Sequence, residues 1–156
     1  VEAILSQVQM PGRPHFAMAL FEKGYIQDPK DAFDLYIGDG KKCTIKSDAP
    51  STLETLKIIK EANGIAVIAH PHLIKDSKII KDLLTMDFDG IEVYYGNLPF
   101  YQCEKWQRIA QDKKWIMTGG SDFHGAVKAY ISLGASYTPE ESFRKLKARY
   151  EENKLL

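Results

Sequence analysis

Residues 51–72 read STLETLKIIKEANGIAVIAHPH, and this stretch decides the fold class. Ser51 and Glu54 stand at capping-box spacing, at which each side chain satisfies the other residue's backbone N–H. Leu53, Leu56, Ile59 and Ala62 follow at helical intervals, and Gly64 is the expected stop. Ile65 to Ala69 is then a short, wholly apolar, β-branched-rich run, the pattern of a strand buried on both faces.

Working towards the C-terminus, the same unit recurs. The spacing predicts a helix from about Ser77 to Thr85, a strand from Gly90 to Tyr95, a helix from about Pro99 to Lys113 and a strand from Trp115 to Thr118. A last amphipathic helix is expected after a cap at Thr138 and Pro139, with Glu141 three residues beyond Thr138. Strands alternating with helices imply an α/β fold of parallel β/α units. Trp106, Trp115, Tyr101 and Phe100 recur as a helix face and its following strand would place them, so they are assigned to core packing rather than base stacking.

Towards the N-terminus the character changes to short helices and turns. Pro14 suits a first helical turn, Phe16, Ala17, Ala19, Leu20 and Phe21 supply an apolar face, and Gly24 is a stop. A second short helix is expected from Pro29 to about Tyr36, ending at Gly38, Asp39 and Gly40.

Composition bounds the function. A chain of 156 residues, 44% hydrophobic, can bury one core, and one compact unit is expected. Lys and Arg number 21 and so do Asp and Glu, which leaves no net field to draw in nucleic acid at long range, though a nucleotide can still bind locally. Cys43 and Cys103 are far apart and outside any paired spacing, against a disulfide scaffold or a Cys-based zinc module. No stretch approaches the roughly 18 apolar residues of a membrane span. A soluble, cytoplasmic protein is expected, and the start at Val1 reads as a processed or excised chain.

In parallel β/α folds the chemistry gathers at the carboxyl ends of the strands. His70 follows the first strand, with Pro71 expected to hold the chain extended and aim the imidazole at the mouth. It reads either as a metal ligand or as a histidine hydrogen-bonded at a strand end. After the strand ending at Thr118, Gly119 to Gly125 form a glycine-bracketed turn containing Asp122 and His124. Two residues apart in extended geometry, their side chains share one side. A carboxylate and an imidazole together suit Zn, Mn or Fe, and the glycines let backbone approach an ion or phosphate. The alternative is a polar turn with Asp122 capping the Ser121 or Phe123 amides.

These residues resemble the PHP (polymerase and histidinol phosphatase) superfamily of metal-dependent phosphoesterases. Gly12-Arg13-Pro14-His15-Phe16-Ala17 with Ala19-Leu20 looks like its helical insert, continued by Ala32, Phe33, Tyr36 and Gly38-Asp39-Gly40. Ala66 to Pro71 resembles its Ala-His-Pro motif, Gly90 to Tyr94 its Gly-Ile-Glu-Val segment, and Gly119 to His124 its Gly-Ser-Asp-Phe-His motif. The resemblance implies the latter part of a distorted (β/α)7-type barrel, with residues 1–50 the insert and 51–156 the C-terminal β/α part. It carries the role of metal ligand onto His70, Asp122 and His124.

The family's N-terminal His-x-His and further Asp, His and Glu ligands do not precede the insert here. The expectation is therefore a fragment that binds metal weakly and is inactive alone, completed by the missing N-terminal half. The full-length site would hold up to three divalent ions (Mn, Zn or Fe) and hydrolyse phosphate esters of nucleotides or short RNA ends. Its partners would be phosphorylated small molecules or short oligonucleotides, and a half-built sheet would favour a homo-oligomer. Two rivals stand beside this: a non-catalytic PHP-like structural module, and an amidohydrolase-like metal hydrolase.

Arg13 and His15 are candidate substrate-phosphate donors, one a planar fork and the other an imidazole. Equally, Arg13 can pair with a carboxylate while His15 packs at a helix start. His72 is assigned to a surface or supporting role. Glu92, directed opposite to Ile91 and Val93, can face the mouth without being a ligand of the resembled pattern. Tyr95, Gly96 and Asn97 depart from that pattern, which leaves substrate preference open.

Overall fold

The computed structural model describes residues 6, 8–45, 48–96 and 98–154. Two compact units emerge, 1–49 and 50–156.

In the first unit, α1 (Arg13–Glu22) has Pro14 in its first turn and ends before Gly24, whose φ of 73° is the left-handed stop the sequence indicated. Asp28 caps α2 (Pro29–Ala32), accepting from the Lys30 N–H at 2.8 Å. The expected helix to Tyr36 does not stay α-helical: Phe33–Ile37 is a π-helical turn, closed by the Gly38 N–H on Phe33 O. Ala17, Ile26 and Ala32 form a small core with Leu20, Tyr36 and Ile37 against it. Phe21, assigned to the apolar face, is exposed.

In the second unit, α3 (Thr52–Glu61) begins with the capping box read from the sequence: the Ser51 N–H donates to Glu54 Oε2 at 2.7 Å, and the Glu54 N–H donates to Ser51 Oγ at 3.3 Å. The left-handed residue beyond it is Asn63, not Gly64. The sheet is parallel throughout, in the order β1-β2-β3, with β1 at Val67–Ile68, β2 at Gly90–Tyr95 and β3 at Ile116–Gly120. Between them run α4 (Ser77–Thr85) and α5 (Phe100–Lys113), and α6 (Glu140–Asn153) follows.

The first strand is shorter than expected because its flanks have other partners. The Gly64 N–H bonds back to Ile59 O, and the Ala66 N–H donates to the Asp89 carboxylate at 2.9 Å. The last strand runs two residues further than expected, since Gly119 and Gly120 pair with Tyr94 and Tyr95 across a bulge at Glu92/Tyr94. Alternation in β2 buries Ile91 and Val93 completely, and Ile68, Trp106 and Ala110 complete that core. Trp115 packs beside it, whereas Tyr101, also assigned to the core, is exposed.

Thr138 is not the cap of α6. Its hydroxyl accepts from the Gly119 N–H and donates to the Gly119 carbonyl, both at 3.0 Å, which ties the α6 approach to β3 instead. Pro139 occupies the N-cap position without a side-chain hydrogen bond.

Candidate functional site at the strand ends

The carboxyl ends of β1, β2 and β3 deliver His70, Tyr95 and the 121–124 turn to one place. Asp122 is its centre, with the side chain 15% exposed. Asp122 Oδ2 accepts from Tyr95 Oη at 2.6 Å and from the Lys128 ammonium. Asp122 Oδ1 faces the imidazoles, 4.0 Å from His70 Nε2 and 3.4 Å from His124 Nδ1. The two carboxylate oxygens are thus divided between different partners.

This convergence does not come from extended backbone. His70 and Asp122 both sit in the left-handed region, at φ 46° and 51°. Such conformations cost non-glycine residues on the order of 1–3 kcal/mol each and persist where surrounding contacts over-determine them. Pro71, expected to keep the chain extended, instead opens a 3-10 turn (Pro71–Leu73) directly after the left-handed His70. Likewise Asp122 and His124 meet through a turn: His124 Nδ1 lies 2.7 Å from the Asp122 carbonyl oxygen. A carbonyl only accepts, so Nδ1 carries the proton and Nε2 keeps its lone pair free for another partner.

Glu92 holds His70 in position. Its Oε2 accepts from the His70 backbone N–H at 2.9 Å and stands 3.8 Å from His70 Nε2. His72 packs at a tilt against Tyr95, ring centroids 4.3 Å apart and planes at 59°, with its Nδ1 buried and unpartnered. Burial, reinforced by the neighbouring His70 and opposed by Asp122, lowers the His72 pKa and keeps that ring neutral. His72 also lines a cleft of about 320 Å³ with Pro71, Gln102, Lys105 and Trp106.

Burial alone would push the Asp122 carboxyl up, but the hydrogen bonds from Lys128 and Tyr95 and the adjacent positive charges together hold it below its ordinary range. For Lys128 burial pulls down, and its bonds to Asp122 and Tyr95 outweigh that and raise it. Burial, followed by the bond it donates to Asp122, raises Tyr95 and keeps its proton in place.

A pH dependence follows in metal-free protein. Asp122, depressed when folded, contributes stability above the ordinary aspartate pKa of about 3.9 and loses it as pH falls through the folded value. Lys128, raised when folded, contributes below the ordinary lysine pKa of about 10.4 and loses it as pH rises through the folded value. Thermal melts of wild type and Lys128→Met in chelator should therefore differ by a constant amount between about pH 5 and 9 and converge only as the pH falls through the folded value of Asp122, below the ordinary aspartate range.

Among the described residues, no three His, Cys, Asp or Glu side chains are set to hold an ion by themselves. The donor chemistry nonetheless suits one. Ligand atoms about 2.1 Å from a shared ion stand roughly 3–4 Å apart, the separation of His70 Nε2 and Asp122 Oδ1.

The first unit keeps its candidates local. Arg13 Nη1 pairs with Asp39 Oδ1 at 2.8 Å, both side chains well exposed, and His15 Nδ1 accepts from the Gly12 N–H at 2.9 Å, closing the start of α1. Tyr95 and Lys128 are the side chains of this cluster that sequence reasoning missed. Tyr95 stood at a strand end and was weighed only as a departure from a pattern; Lys128 lies six residues past Asp122, and Gly125 at φ 57° turns the chain between them. Asn97 lies outside the described residues.

Parallel β/α units that present imidazole and carboxylate groups at their strand ends define an α/β fold of the kind found in a phosphoesterase structure. No protein-family model matches the chain. It is 31% identical over 121 residues to a 3′,5′-nucleoside bisphosphate phosphatase of Chromobacterium violaceum, covering 74% of this chain and 42% of that protein. It is 32% identical over 130 residues to a 5′-3′ exoribonuclease of Haemophilus influenzae, covering 78% and 46%. A crystal structure from Bifidobacterium adolescentis, described as a metal-dependent phosphoesterase, superposes with a TM-score of 0.75 at 30% identity, over 95% of this chain and 55% of that one. These likenesses support a phosphoesterase of the PHP superfamily. The chain spans less than half the length of these two curated relatives.

Proposed function

We propose that this chain carries the Asp-x-His part of the metal site of a phosphoesterase acting on phosphate esters of nucleotides or short RNA ends. The observation that carries the reading is the approach of His70 Nε2 to Asp122 Oδ1, 4.0 Å apart, from two different strand ends, with the His124 ring held beside Asp122 through its Nδ1–H. The names of the two curated relatives support the substrate class.

His70 Nε2, Asp122 Oδ1 and His124 Nε2 would hold a divalent ion as part of a larger donor set. Such an ion supplies a lowered water pKa and polarisation of a phosphoryl oxygen. The chain's own residues do the rest of the work. Glu92 fixes the backbone that aims His70, and the His124 Nδ1–H bond to the Asp122 carbonyl selects the ring tautomer. Tyr95 orients Oδ2. Arg13 and His15 are offered as phosphate donors: an exposed ion pair such as Arg13 to Asp39 contributes about 0–1 kcal/mol and is readily exchanged for an oxyanion.

In this reading the β/α elements form the latter part of a distorted (β/α)7-type barrel. The three ligands favour it over the non-catalytic module, in which a retained Asp-x-His turn facing a second strand-end imidazole has no task. A panel of nucleoside 3′- and 5′-phosphates, short 5′-phosphorylated RNA and amide substrates, assayed with Mn or Zn on the protein at the length of its relatives, tests it. Metal-dependent release of phosphate or nucleotide is expected; turnover confined to amides, or none with any metal, overturns it.

A further inference from the structure

Asp122 carries a negative charge largely withdrawn from water, and in this structure that charge is met by an ammonium. Lys128 Nζ donates to Oδ2 and lies 3.4 Å from Tyr95 Oη, its side chain 26% exposed. The imidazoles of His70 and His124 gather instead at the other oxygen, Oδ1. A divalent cation and an ammonium on one carboxylate repel each other at close range, and partial burial weakens the screening between them.

The surroundings let one cation leave without disturbing the carboxylate. Lys128 ends the four-residue 3-10 turn Gly125–Lys128 and reaches Asp122 through a long flexible stem, so it can swing out to solvent. Tyr95, on a strand, still holds Oδ2 at 2.6 Å after it goes.

We infer that Lys128 is the resident counter-ion of Asp122, exchanged for a divalent ion when the site loads, and that it thereby sets the affinity a metal must exceed to bind. This rests on the metal-site reading above. The ammonium subtracts the same free energy from every divalent ion, so Lys128 sets a threshold of affinity rather than a preference among metals.

The test is Mn titration of the chelator-treated 156-residue chain, free Mn being read by electron paramagnetic resonance, for wild type, Lys128→Met, Lys128→Arg and Asp122→Asn, with thermal melts of each. Lys128→Met should bind Mn about tenfold tighter than wild type. Without metal it should melt lower than wild type, and at saturating Mn the two should melt together. Lys128→Arg, which keeps the charge, should bind no tighter than wild type and serves as the folded control.

Equal or weaker Mn binding by Lys128→Met overturns the inference, since that follows if Lys128 stays on Asp122 and orients it in the loaded site. If Asp122→Asn loses binding that wild type shows while Lys128→Met is unchanged, the metal site stands and the exchange role alone is refuted. If all four bind Mn to the same small extent, neither Asp122 nor Lys128 governs binding by this chain, and the exchange is overturned.

Discussion

Asp122→Asn is expected to lower kcat/KM for a phosphate ester by a factor on the order of 10³ or more, with Mn affinity reduced about a hundredfold. The substitution is nearly isosteric, so its effect is chiefly one of charge. Asn keeps an acceptor for Tyr95 Oη but loses the negative charge that Lys128, His70 and His124 all face. A divalent ion gains most of its site energy from anionic oxygen and neutral nitrogen donors, and an amide replaces the former with a weak dipole. Steady-state kinetics at the length that turns over substrate, beside Mn titration, read both effects. The fold should survive: the lost charge-assisted bonds contribute about 1.5–3 kcal/mol, against the 5–15 kcal/mol typical of a domain. Activity within tenfold of wild type would remove Asp122 from the centre of the site.

Glu92→Gln is the informative companion to that result, because it separates aiming from ligation. Its oxygen can still accept from the His70 N–H, while its charge near His70 Nε2 is gone. What was legible in the sequence follows the same division between local pattern and remote contact. The capping box at Ser51 and Glu54, the strand Gly90–Tyr95 and the position of His70 after β1 are set by neighbours within a few residues, and periodicity reads such features directly. The left-handed turns at His70 and Asp122 are not of this kind. His and Asp tolerate the left-handed region better than most side chains, but Pro71 argues against one of the turns, and Glu92, Tyr95 and Lys128 reach these residues through contacts that local pattern does not show.

Thr138 shows the same limit from another side. Ahead of a helix its residue type and spacing suggest a cap, yet its hydroxyl is taken by both backbone groups of Gly119, nineteen residues earlier in the chain. The glycines of the 119–125 stretch were read as room for an ion or phosphate. At Gly119 the room is filled by the protein's own backbone.

That difference sets the second large expected effect, the contrast between Gly119→Ala and Gly120→Ala. A Cβ on Gly119 would lie 2.6 Å from each of Tyr137 O, Tyr94 O and Tyr94 Cβ, and two of those three are backbone atoms in a paired segment that cannot yield cheaply. Overpacking of this sort costs about 3 kcal/mol, which for a chain of this size lowers the Tm by roughly 6–12 °C. On Gly120 the nearest atom to an added Cβ is Glu92 Oε1 at 3.7 Å, an ordinary contact. Neither glycine needs a left-handed φ, so Ala at 120 should be neutral or gain the roughly 0.4–1 kcal/mol that comes from a less flexible unfolded chain. Differential scanning calorimetry of the two variants measures the gap, and equal melting would show that the close approach at Gly119 relaxes without cost. Because Asp122 stands only three residues beyond Gly119, with Gly120 bonded to Tyr137 and Gly96 between them and the site, the strain at 119 should also weaken Mn binding. The variant at 120, one residue nearer the ligands, should leave that binding unchanged, since steric fit between β2, β3 and the α6 approach, rather than distance along the chain, governs how firmly the turn is held.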